Sequence, residues 1–79
     1  MDKKKKDTML LFLMRITEKN SDFDFDSNIW VNGLLTVFEL VYLLTELYIN
    51  DYLNRSDIIN ITNNEDLTLS YITNLIHDN

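Results

Sequence analysis

Apolar residues fall along this chain in separated blocks, and their spacing decides which elements can form. Met9, Phe12, Leu13 and Ile16 recur at intervals of three and four, which predicts a first helix from about Asp7 to Lys19 with one apolar face. Asp7 or Thr8 is the expected cap, and Lys19 and Asn20 lie where a helix favours a positive charge and a stop. The next stretch, SDFDFDSNIWVNG (residues 21–33), has no helical period and is too long for a simple turn. Long loops pin themselves through buried side chains, and Phe23, Phe25, Ile29 and Trp30 are the expected anchors. A short strand would also fit the Asp/Phe alternation, but no pairing partner follows it.

A second helix is predicted from Val37 to about Asn50, with Phe38, Val41, Leu44 and Leu47 or Tyr48 along its buried stripe. Its start has a mechanical basis. Thr36 and Glu39 make a T-x-x-E capping box, Leu35 and Leu40 stand at the two positions of a hydrophobic staple, and Gly33 lets the chain turn just before. Asp51 to Arg55 reads as a linker into a short helical turn at SDIIN, with Ser56 as cap and Ile58 and Ile59 facing inward. Leu69, Ile72, Leu75 and Ile76 mark a final helix capped by Thr68. The expected fold is all-α: a small four-helix bundle of three longer helices, one short one and a long first loop, forming a single domain over residues 1–79.

Composition narrows this further. One glycine and no proline among 79 residues favour helices, and the absence of cysteine excludes disulfides and thiolate metal sites. The N-terminus imitates a signal peptide, with lysines ahead of an apolar run. Yet Arg15 ends that run, and the chain has no alanine to make a small-residue cleavage site. Residues 34–49, interrupted by Glu39 and Glu46, fall short of the roughly 20 apolar residues that span a bilayer. The expectation is a soluble, cytoplasmic monomer with no membrane partner.

Charge is distributed unevenly. Residues 1–20 hold six Lys/Arg against three Asp/Glu, while residues 21–79 hold only Arg55 against ten acids, giving the net charge of −6. The acidic body disfavours nucleic acid and favours basic protein surfaces. Lys3 to Lys6 are expected to be a solvated, frayed arm within residues 1–6.

The candidate chemistry is sparse. Asp22, Asp24 and Asp26 fit the first alternate positions of a calcium loop, but Ser27 stands where that loop needs glycine and Gly33 where it needs the bidentate glutamate. Solvation of the three carboxylates is the simpler expectation, so no metal site is predicted. His77 is the single imidazole, and near the chain end it suits a helix C-terminus better than a catalytic pocket. No nucleophile–base set or glycine-rich phosphate cradle can be assembled. The expectation is a non-enzyme.

The stretch "NGLLTVFELVYLLTEL" (residues 32–47), midway along a chain with an amphipathic helix before it and "SDIIN" and "LTLSYITNLI" after it, resembles the acyl, peptidyl and D-alanyl carrier proteins. Members of that family read G-x-L-D-S or G-L-L-D-S ahead of an F-x-E-L-V helix. Here the same frame gives Gly33, Leu34, Leu35, Thr36 and Val37, then Phe38, Glu39, Leu40 and Val41. The resemblance implies that position 37 is where the family serine would carry 4′-phosphopantetheine, a site favoured by the positive end of a helix dipole. Val37 has no oxygen to phosphorylate. Thr36, the neighbouring hydroxyl, is displaced by one residue and expected to act as the cap, while Ser27 lies too early and opens no helix. No cofactor is therefore expected as the sequence stands; if engineering removed the serine, the natural protein would carry 4′-phosphopantetheine.

The resemblance further implies docking onto basic surfaces of acyl-transfer or adenylating enzymes through the second helix. Glu39 and Glu46 are the charged contacts, and Val37, Phe38 and Val41 lie at or near the apolar centre. Phe38 and Val41 can equally belong to the core, and core is the expectation for Val41. The functional expectation is thus a carrier-protein-like docking module of an acyl- or aminoacyl-transfer pathway, itself unmodified. The alternative is a small acidic helical protein that binds or inhibits an unrelated basic partner.

Overall fold

The computed structural model describes residues 2–18 and 23–77. All regular structure among them is helical: α1 (Lys3–Thr17), α2 (Ile29–Asn32), α3 (Val37–Ile49), α4 (Arg55–Thr62) and α5 (Leu69–Leu75). The core is one cluster. It joins Met9 and Leu13 of α1, Ile29 of α2, Leu40, Leu43, Leu44 and Leu47 of α3, Ile61 of α4 and Leu69 and Ile72 of α5, with Phe25, Leu35, Leu53, Leu67 and Ile76 from the connecting segments. α1 packs on α3 and α5, and α4 packs on α5.

Helix α1 begins four residues earlier than the apolar period suggests. The Asp2 side chain accepts from the backbone N–H groups of Lys4 and Lys5 at 2.8 and 3.4 Å, so Lys3 to Lys6 form the first turn rather than an arm. Lys6 also lies over the Phe25 ring, its Nζ 5.1 Å from the centroid. Thr8, an expected cap, is instead inside the helix and donates its hydroxyl to the Lys4 carbonyl at 3.0 Å. The helix closes at Glu18 in the left-handed conformation. The stop expected at Lys19 and Asn20 lies outside the described residues.

The first loop is held to the opposite end of the chain. The Ile29 N–H donates to the Leu67 carbonyl at 2.8 Å, and the Ser70 N–H to the Phe25 carbonyl at 3.0 Å. Asn28 Nδ2 and Trp30 Nε1 add bonds to the carbonyls of Glu65 and Asn64, each 3.0 Å. Phe25 and Ile29 are buried anchors as expected, whereas Phe23 is half-buried and the Trp30 ring half-exposed, its indole N–H satisfied by the backbone. The loop also contains a helical turn that its hydrophobic pattern does not announce, α2, opened by the Asn28 side chain and ended by Gly33 at φ +60°.

One further element departs from expectation and one follows it. Helix α4 starts a residue before Ser56 and runs past Asn60 to Thr62, because Asn54 and Asp57 form a reciprocal capping box, with bonds of 2.8 and 3.0 Å. Its fully buried residue is Ile61; Ile58 packs half-buried against the core as expected, whereas Ile59, also expected to face inward, is exposed. Helix α5 is capped by Thr68 as expected, with Leu69, Ile72 and Ile76 buried.

Candidate functional site

Helix α3 and its N-cap Thr36 carry the residues singled out from the sequence for docking or attachment: Val37, Phe38, Glu39, Val41 and Glu46 lie in the helix. Its start is the expected capping box: Thr36 Oγ1 accepts from the Glu39 N–H at 3.0 Å, and Glu39 Oε1 accepts from the Thr36 N–H at 2.9 Å. Leu35 and Leu40 beside it are both buried, as a hydrophobic staple requires. Together these fix the angle at which α3 leaves the loop. They also define what the helix start can do chemically.

A phosphopantetheinyl group does not fit the residues present. Val37, 66% exposed in the first turn, offers no nucleophile. The Thr36 oxygen that would have to attack phosphorus already accepts the bond that holds the cap, so transfer there would open the helix start. Ser27 donates its hydroxyl to Asp24.

The outer surface of α3 differs from the predicted stripe. Leu44 and Leu47 face the core as expected, but Leu40 and Leu43 complete the buried arc, which is rotated away from Phe38 and Val41. Phe38 is 87% exposed and Val41 57%; Val41 is therefore not a core residue, and Tyr48 is exposed as well. Tyr42 and Ile49 share the same outward side. Glu39 and Glu46, both half-buried, follow one edge of it. Neither glutamate forms an ion pair with a described lysine or arginine. The surface is an apolar crest with an unneutralised acidic edge, which suits contact with a basic, partly apolar partner.

The remaining candidates resolve into structural roles. Asp22 lies outside the described residues. Asp24 accepts from Ser27 and from the Asp26 N–H (3.0 Å), which hold its carboxyl below the usual carboxylate range, the Ser27 hydroxyl being the larger cause. Asp26 accepts from the Ser70 hydroxyl at 3.2 Å. These carboxylates shape the turn and tie it to α5. No group of three metal-ligating side chains occurs among the described residues.

His77 follows the end of α5 and reaches back across the fold. Its Nε2 lies 2.9 Å from Asp57 Oδ2, and the His77 backbone N–H donates to the Tyr52 carbonyl at 2.8 Å. The same Asp57 oxygen closes the α4 capping box. Sequence reasoning missed this link, and the Asn-x-x-Asp spacing at residues 54–57 was the one signal for half of it.

No helix of the described residues is long and apolar enough to cross a membrane. No protein-family model matches the sequence, and comparisons with curated proteins and with solved structures give no match.

Proposed function

We propose that this chain is a carrier-protein-like four-helix bundle, α2 being a turn within its first loop, that docks onto acyl-transfer or adenylating enzymes and holds no covalent arm. The observation that carries the reading is the outward face of α3, where Val37, Phe38 and Val41 stand in solvent immediately after a capped helix start, beside Glu39 and Glu46. Exposing such side chains contiguously on a small monomer has a use when another protein covers them. The chain acts through binding rather than catalysis, in a biosynthetic setting, with the acidic edge speeding encounter with a basic enzyme surface.

Two measurements test this. Incubation with a phosphopantetheinyl transferase and coenzyme A is expected to leave the intact mass unchanged; a phosphopantetheinyl increment on Thr36 overturns the unarmed reading. Photo-crosslinking from position 42 in the native cell is expected to recover acyl-transfer or adenylating enzymes. Recovery of only unrelated basic proteins instead supports a binding or inhibitory role. With a recovered enzyme, Glu46→Lys is expected to slow association by roughly three- to tenfold at low salt, with the difference shrinking as ionic strength rises.

A further inference from the structure

The exposed residues of α3 follow a heptad. With Tyr42 and Ile49 at a and Phe38 and Thr45 at d, the e positions are Glu39 and Glu46 and the g positions Val41 and Tyr48. Of the remaining positions, b, c and f, Leu43, Leu44, Leu40 and Leu47 are in the core, and only Val37, the c residue of the first turn, is exposed. One helix thus carries two seams: an inner one already filled, and an outer one with a and d side chains in solvent, Ile49 at 65% exposure among them. Solvation alone does not call for an a/d seam over the full length of a helix. A second helix does.

We propose that the outer seam of α3 pairs with one amphipathic α-helix of a partner protein, a helix with aliphatic residues at its own a and d positions and Lys or Arg along the edge that meets Glu39 and Glu46. The inference deepens the docking reading above and rests on it. Charge complementarity selects this occupant. Pairing of two α3 seams is the weaker match: antiparallel pairing sets the e glutamates of one α3 against those of the other, and parallel pairing sets two glutamates on the Val41 and Tyr48 edge, where Arg55 is the single cation lining the same groove. A basic edge neutralises both glutamates at once. With 13 residues, α3 supplies about two heptads, so the contact is short and reversible, of the size class of transient encounters.

The test uses the full chain and two synthetic three-heptad peptides, identical in their Leu/Ile a and d positions and differing only in Lys or Glu at the edge facing Glu39 and Glu46. The Lys-edged peptide is expected to bind at least about tenfold more tightly at low salt, the gap narrowing at high salt, with amide shifts concentrated on α3. Glu46→Lys is expected to shrink or reverse the preference. Phe38→Ser and Ile49→Ser, both at solvated positions outside the core, are expected to abolish binding while leaving the fold intact. Equal binding of the two peptides, shifts centred on another surface, or self-association of the chain that Phe38→Ser abolishes would each overturn the proposal. If the peptides fail while position 42 still crosslinks to transfer enzymes, the helical partner alone is refuted. If both fail, the docking reading falls with it.

Discussion

Leu47→Ala is expected to leave the chain without a cooperative unfolding transition at room temperature. Leu47 is fully buried in α3 at the junction with the α3–α4 connection, whose Tyr52 and Leu53 N–H groups both donate to its carbonyl. Truncating a leucine at such a site costs about 2–5 kcal/mol, from lost transfer energy and the cavity left behind. A single core of this size supplies only about 3–5 kcal/mol in total, so the two quantities are comparable. Val41→Ala is the matched comparison, since it removes apolar carbon from the same helix at a position 57% exposed. Its expected effect lies within about 0.5 kcal/mol. Denaturant titration of the two variants by circular dichroism decides the matter. Equal destabilisation would mean that α3 presents its other side to the core.

That comparison marks where the sequence stopped being readable. Position by position, α3 is apolar on nearly every side, so a period-3.6 search finds two acceptable stripes. The expected one runs through Phe38, Val41, Leu44 and Leu47 or Tyr48, the observed one through Leu40, Leu43, Leu44 and Leu47, so the two share Leu44 and Leu47. Tertiary packing, chiefly against α1, selects between them, and it places the four leucines in the shared core. The helix start was legible because Thr36, Glu39, Leu35 and Leu40 interact over a few residues and need no tertiary partner. The same locality made Thr68 readable as the α5 cap.

Where two distant segments decide the outcome, the sequence was silent. The hydrogen bonds that seat Ile29 and Phe25 on residues 67 and 70 are backbone contacts between parts of the chain some forty residues apart, and no pattern of side chains encodes their register. The Asp57–His77 contact is of the same kind. Helix α2 was hidden for another reason: four residues are too few to show a period, and its stabilisation comes from the Asn28 cap and from that docking. At the candidate site, the residues Glu39, Glu46 and Phe38 could be named, but which of Phe38 and Val41 faced solvent could not.

The double variant Thr36→Asp with Val37→Ser is expected to turn a chain that a phosphopantetheinyl transferase leaves untouched into one that it modifies. Aspartate is as good an N-cap as threonine, so its carboxylate can keep accepting from the Glu39 N–H and the helix start should persist. Serine at the first helical position, where Val37 is already 66% exposed, places a hydroxyl beside the unpaired amides and positive end of α3, where an incoming phosphate is stabilised. The transferase must also dock, and the surface available to it is the crest and acidic edge of α3, so modification reports the helix start and the partner face together. Intact-mass measurement before and after reaction reads the result, and retention of the helical circular dichroism spectrum shows that a negative is not unfolding. A folded double variant that stays unmodified would separate this chain from the carrier proteins at the level of its surface as well as its missing serine. Adding Glu46→Lys to a variant that does react should slow the reaction at low salt, because the hydroxyl is unchanged and only the approach of the basic enzyme is altered.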